Sequence, residues 1–127
     1  MRFCLASTDA QILHVHSGIT MHFELYVTDG SVSPMPLRNF HNVTHKDIPT
    51  NAIYCISIKG EPPADELACY EIGKIITLGN IRAKSFRNEL EFIWANLVTE
   101  DQATQGWRKR RPKVLPKADP RSLAIEV

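Results

Sequence analysis

The chain has 127 residues, a net charge of +1, and 43% hydrophobic against 23% charged residues. This balance fits one soluble globular domain with its own core and excludes a disordered chain. Three cysteines, an odd number, in a chain that opens Met1-Arg2-Phe3-Cys4-Leu5-Ala6 argue against a secreted disulfide framework and for reduced thiols in the cytoplasm. No apolar run approaches the roughly 18 residues that a membrane span needs. The charge is unevenly spread. Residues 107–127 hold seven Lys/Arg and two Asp/Glu, hence +5, and residues 1–106 hold eight and twelve, hence −4. A mildly acidic body therefore carries a basic tail.

In chain order, residues 2–7 form a short apolar run that suits a central strand. Residues 22–29 alternate, with Phe23, Leu25 and Val27 on one face and Glu24, Tyr26 and Thr28 on the other, as in a half-buried strand. Asp29-Gly30 signals a hairpin. It leads into a weaker strand at 31–38, which Pro34 and Pro36 push to a sheet edge. Residues 39–51 show no period and read as a connection. Residues 52–59 form the strongest strand, rich in β-branched side chains.

Pro62 and Pro63 then open a helix over 63–72, with Asp65 and Glu66 in its first turn and Gly73 closing it. Residues 74–78 are a buried strand. After Gly79-Asn80, the spacing of Phe86, Leu90, Ile93, Trp94 and Leu97 predicts a helix over 81–99. Residues 101–127 hold three of the eight prolines and no sustained period, and read as a tail. Strands followed by alternating strands and helices predict an α/β fold with helices packed on a mixed sheet. The two strands flanking the first helix are then parallel, joined by a right-handed crossover.

The segment after the first strand carries His14, His16 and His22 within nine residues, with Gly18 between them. Imidazole is a good iron or zinc ligand, and glycine lets a bulky group approach the backbone. Exposed loop histidines without a ligand are the plainer alternative. A structural zinc site has little support, because no Cys-x-x-Cys pair or His-Glu-x-x-His motif occurs. Cys4 and Cys55, on strands, suit core filling. No nucleophile elbow, phosphate-cradling loop or dinucleotide fingerprint is present, which favours a non-enzymatic role. The run Arg108-Lys109-Arg110-Arg111-Pro112-Lys113 beside Trp107 could dock on phosphates or on an acidic partner.

Residues 1–110 resemble, in order, the NifX/NafY-type nitrogenase accessory family, the dinitrogenase iron–molybdenum cofactor biosynthesis domain. Leu13-His14-Val15-His16-Ser17-Gly18 followed by Phe23-Glu24-Leu25-Tyr26-Val27 is similar to that family's Val-Asp-x-His-Phe-Gly loop and its next strand. His16 and Gly18 fall on the motif's His and Gly, whereas His14 replaces its Asp and Ser17 its Phe. Ala52-Ile53-Tyr54-Cys55, Gly60, Ile72-Gly73, Ile75-Ile76 and Gly79 resemble the later strands and helix.

The resemblance implies a ribonuclease-H-like mixed five-stranded sheet with flanking helices, the first helix shortened or absent, and a flexible basic C-terminal tail. Residues 1–100 would be the cofactor-binding domain and 101–127 the tail. It implies a carrier, not an enzyme, that holds an iron–sulfur cofactor precursor or an iron–molybdenum-type cofactor during nitrogenase cofactor assembly. His16 would be the metal ligand, with His14, Gly18 and His22 completing the site. The partners would be cofactor-free dinitrogenase or a cofactor-assembly scaffold protein, with no membrane and nucleic acid unfavoured. The short 39–51 connection would leave one sheet face thinly covered, which a homodimer could close. The alternative is a nucleic-acid-binding or regulatory interaction module acting through the basic tail.

Overall fold

The computed structural model describes residues 8–17, 23–59, 67–78, 81–95, 97–101, 106–109 and 113–114. The strands among them are β1 (Thr8–Ser17), β2 (Phe23–Thr28), β3 (Tyr54–Lys59), β4 (Ile75–Leu78), β5 (Arg82–Phe86), β6 (Glu89–Ala95), β7 (Leu97–Asp101), β8 (Gly106–Lys109) and β9 (Lys113–Val114). Seven of them form one sheet in the order β5-β6-β3-β2-β1-β4-β9, and β7 pairs with β8 in a two-stranded ribbon. β1, β2 and β3 make an antiparallel meander. β3 then pairs in parallel with β6, and β4 pairs antiparallel with β1.

This order forces the sheet to curl. β5 and β4 are separated by β6, β3, β2 and β1 in the sheet, yet only residues 79–81 separate them in the chain. Five strand spacings in a flat sheet are about 24 Å. The four residue steps from Leu78 to Arg82 reach at most about 14 Å. The two ends must therefore approach each other, giving a partly open barrel. A bulge helps the bend: the β1–β2 register shifts between Ile12 and His14, leaving Leu13 as the extra residue.

The curled sheet has two unlike faces. Inside, alternate residues of each strand meet: Ile12 of β1, Leu25 and Val27 of β2, Ile56 of β3, Leu78 of β4, and Phe92 and Trp94 of β6, all almost wholly buried. Tyr54 and Phe92 pack edge to face at 5.7 Å. Outside, residues 29–53 lie across β1, β2 and β3 and bury a second cluster of Tyr26, Ile48, Ala52, Ile53 and Cys55, with Leu13 and Val43 at its margin. β2 is consequently buried on both faces, not half-buried.

The α/β, ribonuclease-H-like expectation is overturned. Among the described residues the helical ones are a single 3-10 turn at Thr50–Ala52 and Leu67. The helix expected over 81–99 is instead the β5–β6 hairpin followed by β7. The helical stripe left out Phe92, whereas the alternation Leu90, Phe92, Trp94 includes it, and Phe92 and Trp94 are both fully buried. The turn between them, Arg87-Asn88, has φ of 51° and 66°, the left-handed pair that a two-residue hairpin needs. Of the helix expected over 63–72, residues 63–66 lie outside the described residues, and 68–72 hold turns and irregular backbone.

Other boundaries also move. The strand expected at 2–7 lies outside the described residues, and the described part of the expected histidine loop, 8–17, is β1 itself. Residues 31–38 form no strand; Leu37 makes a single parallel bridge to Leu90. β3 is parallel to β6, not to β4. The tail expected to be aperiodic and flexible contributes β8, paired with β7, and β9, paired with β4. The sheet face expected to be thinly covered carries the chain's own residues 29–53.

Candidate functional site

The outer face of the barrel gathers most of the unusual chemistry. Directly paired residues share a face, so the register places His16, Glu24, Ser57, Ile93 and Arg82 in one row across β1, β2, β3, β6 and β5. A second row contains His14, Tyr26 and Cys55, and further round the barrel Glu91 pairs with Lys84. The face thus runs from a histidine edge on β1 to a basic edge on β5, where Arg82 and Lys84 are exposed.

Between those edges sit two buried carboxylates. Glu24 is 1% exposed. It accepts hydrogen bonds from the Tyr26 hydroxyl at 2.9 Å and the Cys55 thiol at 3.7 Å, and His41 Nε2 lies 3.5 Å away. Burial pushes the Cys55 thiol up to about 12, and the neighbouring Glu24 carboxylate adds to the effect. Burial raises the Tyr26 phenol as well, reinforced by Cys55 and by Glu24. Both groups therefore stay protonated and serve as donors. Glu91, also buried, forms an ion pair with Arg38.

The connection from β2 to β3 supplies the rings above this face. Arg38 N donates to Leu90 O at 2.9 Å, and Leu90 N donates to Pro36 O at 2.9 Å, so the segment is tied to β6 by backbone bonds. His41 stacks on His16 with ring centres 3.6 Å apart and planes at 23°. Its edge meets Tyr26 at 6.2 Å, and His14 lies 5.9 Å from the same tyrosine. Phe40 turns the other way. It is 62% exposed, and the Arg38 guanidinium lies 3.9 Å from its ring centre.

The expected site residues divide accordingly. His14 and His16 point to the outer face; Gly18 and His22 lie outside the described residues. No group of three or more His, Cys, Asp or Glu among the described residues is placed to hold a metal ion. Sequence reasoning missed Glu24, Tyr26, Arg38, Phe40 and His41 as one cluster. The available signal was the outward set of β2, Glu24 and Tyr26, facing the outward His14 and His16 of β1. It was hidden because 8–17 reads as a loop once the Leu13 bulge breaks its alternation.

No protein-family model matches the chain, and neither does any curated protein. Solved structures do share its fold. One is the crystal structure of Schizosaccharomyces pombe Pot1pC bound to single-stranded DNA of sequence CGGTTACGGT. It has a TM-score of 0.68 and 16% identity over 98% of this chain and 88% of that one. Another is the crystal structure of fission yeast Pot1 and single-stranded DNA, with a TM-score of 0.63 and 17% identity over 98% of this chain and 40% of that longer one. At this identity the likeness concerns the fold. The meander, the β3–β6 parallel pair and the closure through β4 and β5 resemble an OB-fold, a partly open five-stranded barrel, with β4 and β5 as two pieces of one bent strand.

These findings overturn the resemblance to the NifX/NafY-type family, and with it the nitrogen-fixation role. The iron–sulfur and iron–molybdenum cofactors fall too, since the described residues offer no metal-holding group and the structures sharing the fold carry single-stranded DNA. The dinitrogenase and scaffold partners rested on that family alone, and the low weight given to nucleic acid is reversed by the same structures.

Proposed function

We propose that this chain is a binding module for single-stranded nucleic acid, which runs over the outer side of the barrel, across the β2–β3 connection that covers the sheet there, from the partly exposed histidines at the β1 side to the basic edge of β5. The observation that carries the reading is the fold, which follows a chain crystallised with single-stranded DNA over 98% of the present one. The outer face fits the task. Single strands are held by cationic groups along the backbone and by rings on which bases stack, and neither requires reading a base sequence. Arg82 and Lys84 supply exposed charge, and the His16–His41 stack supplies a ring platform. The basic run at 107–113 adds attraction from the tail, partly through β8 and β9. Binding of this kind needs no catalytic group.

The test is fluorescence anisotropy of a labelled, mixed-sequence single strand of about 10 nucleotides, compared with the same sequence as a duplex. The single strand is expected to bind more tightly, and its binding to weaken steeply as salt rises. Equal or tighter binding of the duplex would overturn the proposal. Loss of all binding on deleting 107–127, with duplex and single strand bound alike beforehand, would favour a module acting through the tail alone.

A further inference from the structure

We infer that residues 39–43 form a stacking finger, in which the outward face of Phe40 takes one unpaired nucleobase and the Glu91–Arg38 pair holds the ring in position. The inference deepens the proposed single-strand binding and rests on it.

The finger is a closed loop with fixed ends. The Asn39 side chain brackets Val43 from both sides: Val43 N donates to Asn39 Oδ1 at 2.8 Å, and Asn39 Nδ2 donates to Val43 O at 2.8 Å. Asn42 N donates to Asn39 O at 3.3 Å, and Asn42 adopts φ of 51°, a left-handed conformation that asparagine tolerates better than most residues. Just before the loop, the backbone bonds of Arg38 and Pro36 to Leu90 tie it to β6. Two rings project from this frame in opposite senses. His41 turns inward onto His16 and toward Glu24, which anchors the tip to the sheet. Phe40 turns outward.

An exposed phenylalanine normally samples several rotamers. Here the Arg38 guanidinium covers one face of the ring, and the buried Glu91 carboxylate holds that guanidinium. The backing limits the ring's freedom, so less order is lost when a partner stacks on the opposite face. Phe40 offers that partner no hydrogen-bonding group. It therefore detects that a base is present without reading which base it is. A planar, unpaired nucleobase is the occupant that this geometry suits, and Arg38 and Glu91 are positioning residues.

The test is an abasic scan of a single-stranded oligonucleotide against the full chain, read by anisotropy. Stacking on one aromatic side chain corresponds to about a 10-fold change in affinity or more. Wild-type protein should show one position where removing the base weakens binding by about that factor, whichever base stood there. Phe40→Ala should bind the intact strand correspondingly more weakly and lose the penalty at that position alone, whereas Phe40→Trp should keep it. Glu91→Gln should shrink the penalty at the same position, which a general loss of stability would not do selectively. If Phe40→Ala binds the intact strand like wild type and keeps every abasic penalty, the finger is refuted and the binding face stands. If the wild-type chain binds no single strand at all, both are refuted.

Discussion

His41 Nε2 lies 3.5 Å from Glu24 Oε2, joining an imidazole of the β2–β3 connection to a buried carboxylate of β2. The same oxygen accepts from Tyr26 and Cys55, so one buried acceptor ties together β2, β3 and the connection that covers them. Removing it strands donors that water cannot reach, and an unmet buried polar group is costly. Glu24→Ala should lower unfolding free energy by about 2–3 kcal/mol, and Glu24→Gln, which keeps an acceptor, by about 1 kcal/mol. Urea unfolding followed by tryptophan fluorescence reads both. An unchanged midpoint for Glu24→Ala would mean the cluster contributes nothing to stability.

The same burial makes the protein sensitive to alkali. In the unfolded chain the Cys55 thiol ionises near 9, but in the folded chain it is pushed up to about 12 by burial and by Glu24. Above pH 9 the unfolded state has released a proton that the folded state keeps, so stability falls as pH rises. The contribution is complete below about pH 9 and drains away toward about 12, at up to about 1.4 kcal/mol per unit. Tyr26, raised chiefly by burial, adds its own loss above its ordinary value of 10.0. The urea midpoint should be flat from about pH 7 to 8.5 and decline beyond. Cys55→Ser should flatten the first part of that decline. A wild-type midpoint constant well above pH 9 would contradict the assignment.

Part of this was legible before any coordinates. The alternation of 22–29 identified β2 and assigned its two faces correctly, and the β-branched run at 52–59 identified β3 within two residues. The buried strand at 74–78 was equally plain. Long-range pairing was not legible. Nothing local says that β3 pairs with β6 or that β4 returns to β1. The histidine segment failed for a local reason, since one extra residue at Leu13 turns an alternating strand into an apparent loop. Residues 81–99 failed because Phe86, Leu90, Ile93 and Trp94 satisfy a helical stripe by accident. An asparagine at the turn, Asn88, was the contrary signal. The site was hidden because its rings and carboxylates lie on three segments that only the curl brings together.

The β5–β6 hairpin depends on that turn. Arg87 and Asn88 both have positive φ, a region that a β-branched residue enters only under strain. Asn88→Val should therefore destabilise the protein by about 1–2 kcal/mol, whereas Asn88→Gly should be neutral or slightly stabilising. Thermal unfolding distinguishes the two. Equal losses for both would point to a side-chain role for Asn88 in place of the backbone one.

The basic edge of β5 makes a prediction that does not depend on which bases are bound. For single strands, the logarithm of the binding constant falls with the logarithm of salt at a slope of about 0.7 per phosphate neutralised. Arg82 and Lys84 are exposed, two residues apart on one strand, and therefore project to the same side. On the proposed binding mode each neutralises one phosphate. The double substitution Arg82→Gln, Lys84→Gln should then lower the slope by about 1.4 and weaken binding most at low salt, where counterion release matters most. Neither residue contributes to the core, so the urea midpoint should move little. A salt slope identical to wild type would place the strand elsewhere on the barrel, away from β5. A slope that collapses only when 107–127 is removed would assign the phosphate contacts to the basic run instead.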